Sequence, residues 1–124
     1  MLWEFKDGRA IYLQLIEQIQ LRIISGLYKS GGRLPSVRDM ASEASVNPNT
    51  MQKALSELEK IGIVYSQGTS GRFITDDKQK IEELKKDIAT EQAEKFLKSM
   101  EDIGFDKVES IIILQKLKGE NNNE

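Results

Sequence analysis

Residues 34–60 read LPSVRDMASEASVNPNTMQKALSELEK, and this stretch carries two helix starts with almost nothing between them. Ser36 is a capping residue, and Asp39 three positions on makes a capping-box variant with Asp in place of Glu. Val37, Met40, Ala41 and Ala44 then fall on one face of a short helix. Ser45-Val46 is a tight connection. Asn47 caps the next helix, and Pro48 suits its first position because its φ is preset and it has no N–H to leave unpaired. Met51, Ala54, Leu55 and Leu58 lie on one face at i, i+3, i+4 and i+7, which predicts core. Asn49, Gln52, Lys53, Ser56 and Lys60 lie away from it, with Glu59 and Lys60 read as a solvated face, and Gly62 ends the helix.

Upstream, Tyr12, Leu15, Ile16, Ile19 and Ile23 predict an amphipathic helix over residues 10–25, stopped at Gly26. Lys29 to Arg33 reads as a loop. Downstream, residues 63–66 and 72–75 read as two short strands joined by the turn Gln67 to Gly71. Three helices followed by a hairpin is the element order of a winged helix-turn-helix. The fold expected is therefore mainly α with a small β-hairpin, with residues 1–75 as the winged domain.

Residues 76–80 form a charged hinge before a second region, 76–124. A helix is predicted over 79–101, with Ile81, Leu84, Ile88, Phe96, Leu97 and Met100 as its apolar positions. Gly104 breaks it, Asp106 and Glu109 frame another capping box, and a helix follows from Lys107 to Lys118. Residues 119–124 are polar and expected to fray.

Composition narrows the function. Of 124 residues, 39% are hydrophobic and 31% charged, an ordinary globular balance. Cysteine and histidine are both absent, which removes thiolate chemistry, the commonest general base and the commonest transition-metal ligands. No metal, cofactor or enzymatic activity is expected. The longest apolar run, Ile111 to Leu114, is far short of the ~18 residues of a membrane span. The charged N-terminus MLWEFKDGR lacks a secretory core, so a cytoplasmic location is expected. Net charge is −2 but unevenly spread: residues 1–75 carry nine Lys/Arg against seven Asp/Glu, and residues 76–124 carry nine Lys against thirteen Asp/Glu.

A short helix, tight turn and second helix can place the second helix in a major groove. Asn49 and Gln52 are amides able to bind adenine in a bidentate manner. Thr50, Lys53 and the N–H groups around Asn47 can hold phosphates, and Arg38 can reach backbone or guanine; Arg33 and Pro48 are further candidate DNA-binding residues. The tip Gly68-Thr69-Ser70-Gly71 is small enough for a minor groove, with Arg72 supplying charge. Each element alone also has a plain structural explanation; their conjunction is the specific signal. The competing function is a winged-helix protein-interaction adaptor that uses its acidic helices and does not bind DNA specifically.

Residues 10–75 resemble the winged-helix domain of the GntR family of bacterial transcription regulators. The resemblance is carried by Ile11-Tyr12, Gln18-Ile19, Gly26, Gly32-Arg33-Leu34-Pro35-Ser36-Val37-Arg38, Met40-Ala41 and Val46. It continues through Asn49-Thr50, Ala54-Leu55, Leu58-Glu59, Gly62, Val64 and Gly71 with Phe73-Ile74. It implies DNA contacts from Arg38, Asn47, Asn49, Thr50 and Gln52, and a wing-tip glycine at Gly71. Pro48 and Gln52 stand where many members carry arginine, so a guanine-centred operator is not implied. The Asn-Pro-Asn-Thr start and the short second region resemble the YtrA-type subfamily, which implies a double-stranded DNA operator, a homodimer, repression and a setting beside transporter genes.

The second region, of about 40 helical residues, is too small to bury a core alone. Its consecutive Ile111, Ile112, Ile113 and Leu114 cover more than half a helix circumference, so one side is left to meet a second surface. A second copy is the economical partner, the alternative being the winged domain of the same chain. The dimerisation residues expected are Ile88, Phe96, Leu97, Met100, Val108, Ile111, Ile112, Ile113, Leu114 and Leu117.

Overall fold

The computed structural model describes the backbone of residues 1–122 and side chains through residue 119. Helix α1 runs Ile11–Ile24, α2 Val37–Ala44 and α3 Pro48–Lys60. Strands β1 (Val64–Ser66) and β2 (Arg72–Ile74) flank a 3-10 turn at Gly68–Ser70. Helices α4 (Lys78–Asp102) and α5 (Lys107–Asn122) follow. The fold is mainly helical with one antiparallel hairpin, as the sequence pattern predicts. Contacts divide the chain into two compact units, Met1–Lys85 and Lys86–Glu124.

In the first unit α3 packs on both α1 and α2. Leu15, Ile19, Met40, Ala41, Met51, Ala54, Leu55 and Leu58 are all at most 1% exposed, so the apolar faces read from the sequence are the core. Each fully buried Leu, Ile or Met adds roughly 1.5–3 kcal/mol over leaving it in water. The caps form as expected. Ser36 Oγ accepts the Asp39 N–H at 3.1 Å. Ser45 turns the chain between α2 and α3 at φ +57°, a left-handed conformation that closes the connection in one residue.

The hairpin is registered Val64↔Ile74, Tyr65↔Phe73 and Ser66↔Arg72, with the Tyr65 and Phe73 rings stacked 5.7 Å apart. A third edge joins it. Leu34 N–H donates to the Arg72 carbonyl at 2.9 Å, and Ile74 N–H donates to the Gly32 carbonyl at 2.8 Å. The segment read as a loop at 29–33 therefore ends in a bridge to β2, because the outer edge of so short a hairpin is otherwise left with unpaired groups.

Residues 1–9 are strapped to α1 by side chains. Gln18 pairs with both the N–H and the carbonyl of Glu4, and Gln14 does the same with Lys6. Four residues of helix advance about 6 Å and two residues of extended chain about 6.6 Å, so glutamines four apart match alternate residues of a strand. Arg22, one turn further on and only 1% exposed, stacks on Trp3 at 3.5 Å and donates to the Met1 carbonyl at 2.9 Å. Trp3 in turn donates to Glu43 of α2.

The first turns of α4 belong to this unit: Leu84 is buried, and Lys78, Ile81 and Glu82 line a shallow cleft with Ile23 and Ile24 of α1. In the second unit α4 ends in a turn in which Phe105 N–H donates to the Met100 carbonyl at 2.9 Å, with Gly104 at φ +96°. The Asp106–Glu109 capping box is complete in both directions. Helix α5 continues past the expected stop at Lys118 to Asn122, since Gly119 keeps a helical conformation. Of the tail expected to fray, residues 123 and 124 lie outside the described residues.

Candidate nucleic-acid interface

Helix α3 buries Met51, Ala54, Leu55 and Leu58, so Asn49, Gln52 and Lys53 are turned to solvent. Asn47 and Pro48 are exposed at its start, and Thr50 is half-buried. Arg38 is exposed in the first turn of α2. The exposed members of this set lie at the solvent-facing surface of two helices that pack on one another.

The start of α3 differs in one respect from expectation. Asn47 Oδ1 accepts the Asn49 N–H at 2.8 Å, the Thr50 and Met51 N–H groups both donate to the Asn47 carbonyl, and Pro48 has no N–H. The N–H groups of the first turn are thus spent on the cap. These N–H groups are therefore not free for a phosphate, which leaves side chains and the helix dipole as the means of attracting one.

Lys53 is not a freely moving cation. Its Nζ lies 3.8 Å from the centre of the Tyr12 ring. Tyr12, which the periodicity assigned only to the apolar stripe of α1, holds it by a cation–π contact.

The wing departs furthest from the sequence reading. Gly68, Thr69 and Ser70 are exposed at its tip. Arg72, expected to supply the tip's charge, instead turns to α3. Its Nε donates to Glu59 Oε1, and its Nη1 donates to Gln52 Oε1 at 3.2 Å. Ser66 of β1 donates to the same Glu59 oxygen at 2.7 Å. Glu59, assigned to a solvated face, is the anchor of the wing; the Arg72 hydrogen bond holds its carboxyl below the usual carboxylate range. The cause is register: Ser66 and Arg72 are paired across the hairpin at its α3 side, and the next acid of suitable reach is Glu59. The i, i+7 spacing of Gln52 and Glu59 was the only signal available in the sequence.

Arg33, exposed and bridged to Phe73 of β2, is a cation beside the wing. Gly71, at φ +111°, has its missing Cβ position 3.0 Å from Arg33 Nε, so the glycine makes room for the guanidinium as well as adopting a backbone conformation closed to other residues.

In the second unit Val108, Ile111, Ile112, Leu114 and Leu117 of α5 are 41–66% exposed, and Ile113, Ile88, Phe96, Leu97 and Met100 are half-buried. Ile103 and Phe105, in the connecting turn, add to the exposed apolar surface and were not singled out by periodicity because they lie outside both helices. No helix among the described residues is long and apolar enough to cross a membrane, and no cluster of acidic side chains among them could hold a metal ion.

A capped helix-turn-helix with a polar outward face, braced by a wing, is the DNA-binding element of a transcription regulator. Comparison with known proteins agrees. Residues 11–74 match the model of the bacterial regulatory proteins, gntR family. An HTH-type transcriptional regulator of Bacillus subtilis, YhcF, is 39% identical over 108 residues, covering 87% of this chain and 89% of that protein. The B. subtilis transcriptional repressor YtrA is 38% identical over 72 residues, 58% of this chain and 55% of that protein. A GntR family transcriptional regulator from Listeria monocytogenes superposes with a TM-score of 0.82 at 38% identity, over 90% of this chain and 98% of that one. The chain belongs to the GntR family, and it is a DNA-binding transcription regulator.

Proposed function

We propose that the chain acts as a homodimeric repressor that occupies an inverted-repeat operator, in the manner of the YtrA-type subfamily and in the cytoplasm. The observation that carries this reading is the outward face of α3. Asn49 and Gln52 are exposed on the helix that a helix-turn-helix inserts into the major groove, and Arg38 of α2 and Arg33 of the segment bridged to β2 are exposed as well. Arg33, Arg38 and Lys53 serve the phosphates, Asn49 and Gln52 the base edges, and the tip Gly68–Ser70 the neighbouring groove.

Dimerisation is supported by α5. Five large apolar side chains exposed on one helix, with Ile103 and Phe105 beside them, are more than a soluble monomer leaves in water. A second copy covers them with the same surface, and two-fold pairing suits a two-fold operator. Two recognition helices then enter successive major grooves about 34 Å apart, or a multiple of that. Repression follows where such an operator overlaps a promoter; a transporter operon is the setting the subfamily suggests.

The test is selection of genomic fragments by the full chain, followed by footprinting. Recovery of an inverted repeat with protection on one face of the duplex is expected. Absence of any preferred site at low salt refutes the reading.

A further inference from the structure

We infer that Arg72, a wing residue, is a specificity-determining residue that acts through Gln52, turning that amide into a donor that selects guanine. The inference rests on the DNA-reading role proposed for the outward face of α3.

A guanidinium has only N–H donors. The amide end that faces Arg72 Nη1 at 3.2 Å is therefore the Gln52 carbonyl oxygen, and its NH2 is the end left for another partner. The guanidinium is itself fixed, because Glu59 holds its Nε, and Ser66 holds Glu59. Arg72 is half-buried, whereas Gln52 is exposed. The chain of contacts runs from the wing base to the recognition helix and ends on an amide presented outward.

Reading adenine in the bidentate way needs both ends of the amide on one base edge, the oxygen accepting from N6 and the NH2 donating to N7. An N–H donor bonded to the oxygen draws its electron density away. The oxygen becomes a poorer second acceptor, and the NH2 becomes a stronger donor through polarisation of the amide. Guanine offers two major-groove acceptors, N7 and O6, and requires no acceptor from the protein. Gln52 locked in this way favours guanine over adenine, the reverse of the preference of a free glutamine. The Glu59 carboxylate neutralises Arg72, so its effect is exerted through the amide and not through attraction of phosphate.

The test is selection of the full-length protein on a randomised duplex library, run in parallel for wild type, Gln52→Ala and Arg72→Met. Gln52→Ala identifies the base pair that Gln52 reads, as the position where preference disappears. Wild type is expected to favour guanine over adenine there by about tenfold. Arg72→Met keeps the aliphatic stem, frees the amide oxygen, and is expected to bring adenine level with guanine or above it. Adenine preferred by wild type at that pair overturns the inference, and that comparison stands even if Arg72→Met does not fold. So does an Arg72→Met protein that loses affinity for all sequences equally with its base preference intact, which is the signature of a merely structural wing contact. So does a Gln52→Ala protein that loses preference at no pair. Failure of wild type to enrich any sequence removes the proposed function and this inference with it, a result distinct from the other three.

Discussion

Replacing Arg38 with alanine tests how the charge of the binding face is distributed. Of the cations assigned to the proposed binding face, three make no ion pair with a carboxylate among the described residues: Arg33, Arg38 and Lys53, whereas Arg72 is neutralised by Glu59 and Lys60 is paired with Glu57 at 3.0 Å. Each phosphate neutralised contributes about −0.9 to the slope of log affinity against log salt. Three cations from each of two protomers give a slope of about −5, and Arg38 accounts for about −1.8 of it. Between about 50 and 200 mM salt the wild type then loses roughly 2,000-fold in operator affinity, and Arg38→Ala only roughly 150-fold. Fluorescence anisotropy of a labelled operator over a salt series reads both slopes. The control is the charge-neutral pair of substitutions Glu59→Gln with Arg72→Met, which is expected to leave the slope unchanged even where affinity falls. An Arg38→Ala slope equal to wild type, or a double variant as flat as Arg38→Ala, refutes this assignment of charge.

Other expectations address the remaining parts of the molecule. If α5 forms the proposed dimer interface, Ile112→Glu or Leu114→Glu yields a monomer by light scattering, because a carboxylate cannot be left unpaired in an apolar interface, and operator affinity falls by about two decades as the linkage between half-sites is lost. Gln14→Leu removes both bonds to Lys6 and should cost about 1–3 kcal/mol in urea unfolding, with release of the strap reported by Trp3 fluorescence. Glu59 titrates below its usual range in the folded chain, so its ion pair adds stability at neutral pH that disappears as pH falls through that depressed value. The stability gap between wild type and Glu59→Gln should therefore be full near neutrality and close in acid; a gap that widens on acidification contradicts the ion pair with Arg72.

Local signals account for most of the elements. The Ser36 and Asn47 caps, Pro48 and the apolar spacing of α3 act within one or two helical turns, so they are legible in order along the chain. The same is true of the Asp106–Glu109 box. Helix α5 outran its predicted end because glycine's intrinsic cost, about 1 kcal/mol, is small enough for a continuing helix to absorb.

The amino-acid order alone determined which helix turns its polar face outward, since burial of Met51, Ala54, Leu55 and Leu58 leaves Asn49 and Gln52 no other direction. Only the tertiary structure decided how those side chains are used. Glu59 and Arg72 are thirteen residues apart, and Lys53 and Tyr12 forty-one, with nothing local to pair them. Arg22 and Trp3 likewise meet only when the strap folds back along α1. Short-range rules specify a residue's conformation and face. Which charge a partner neutralises depends on chain segments brought together by the collapse of the core, and that is why the arginine expected to charge the wing tip is instead a brace on α3.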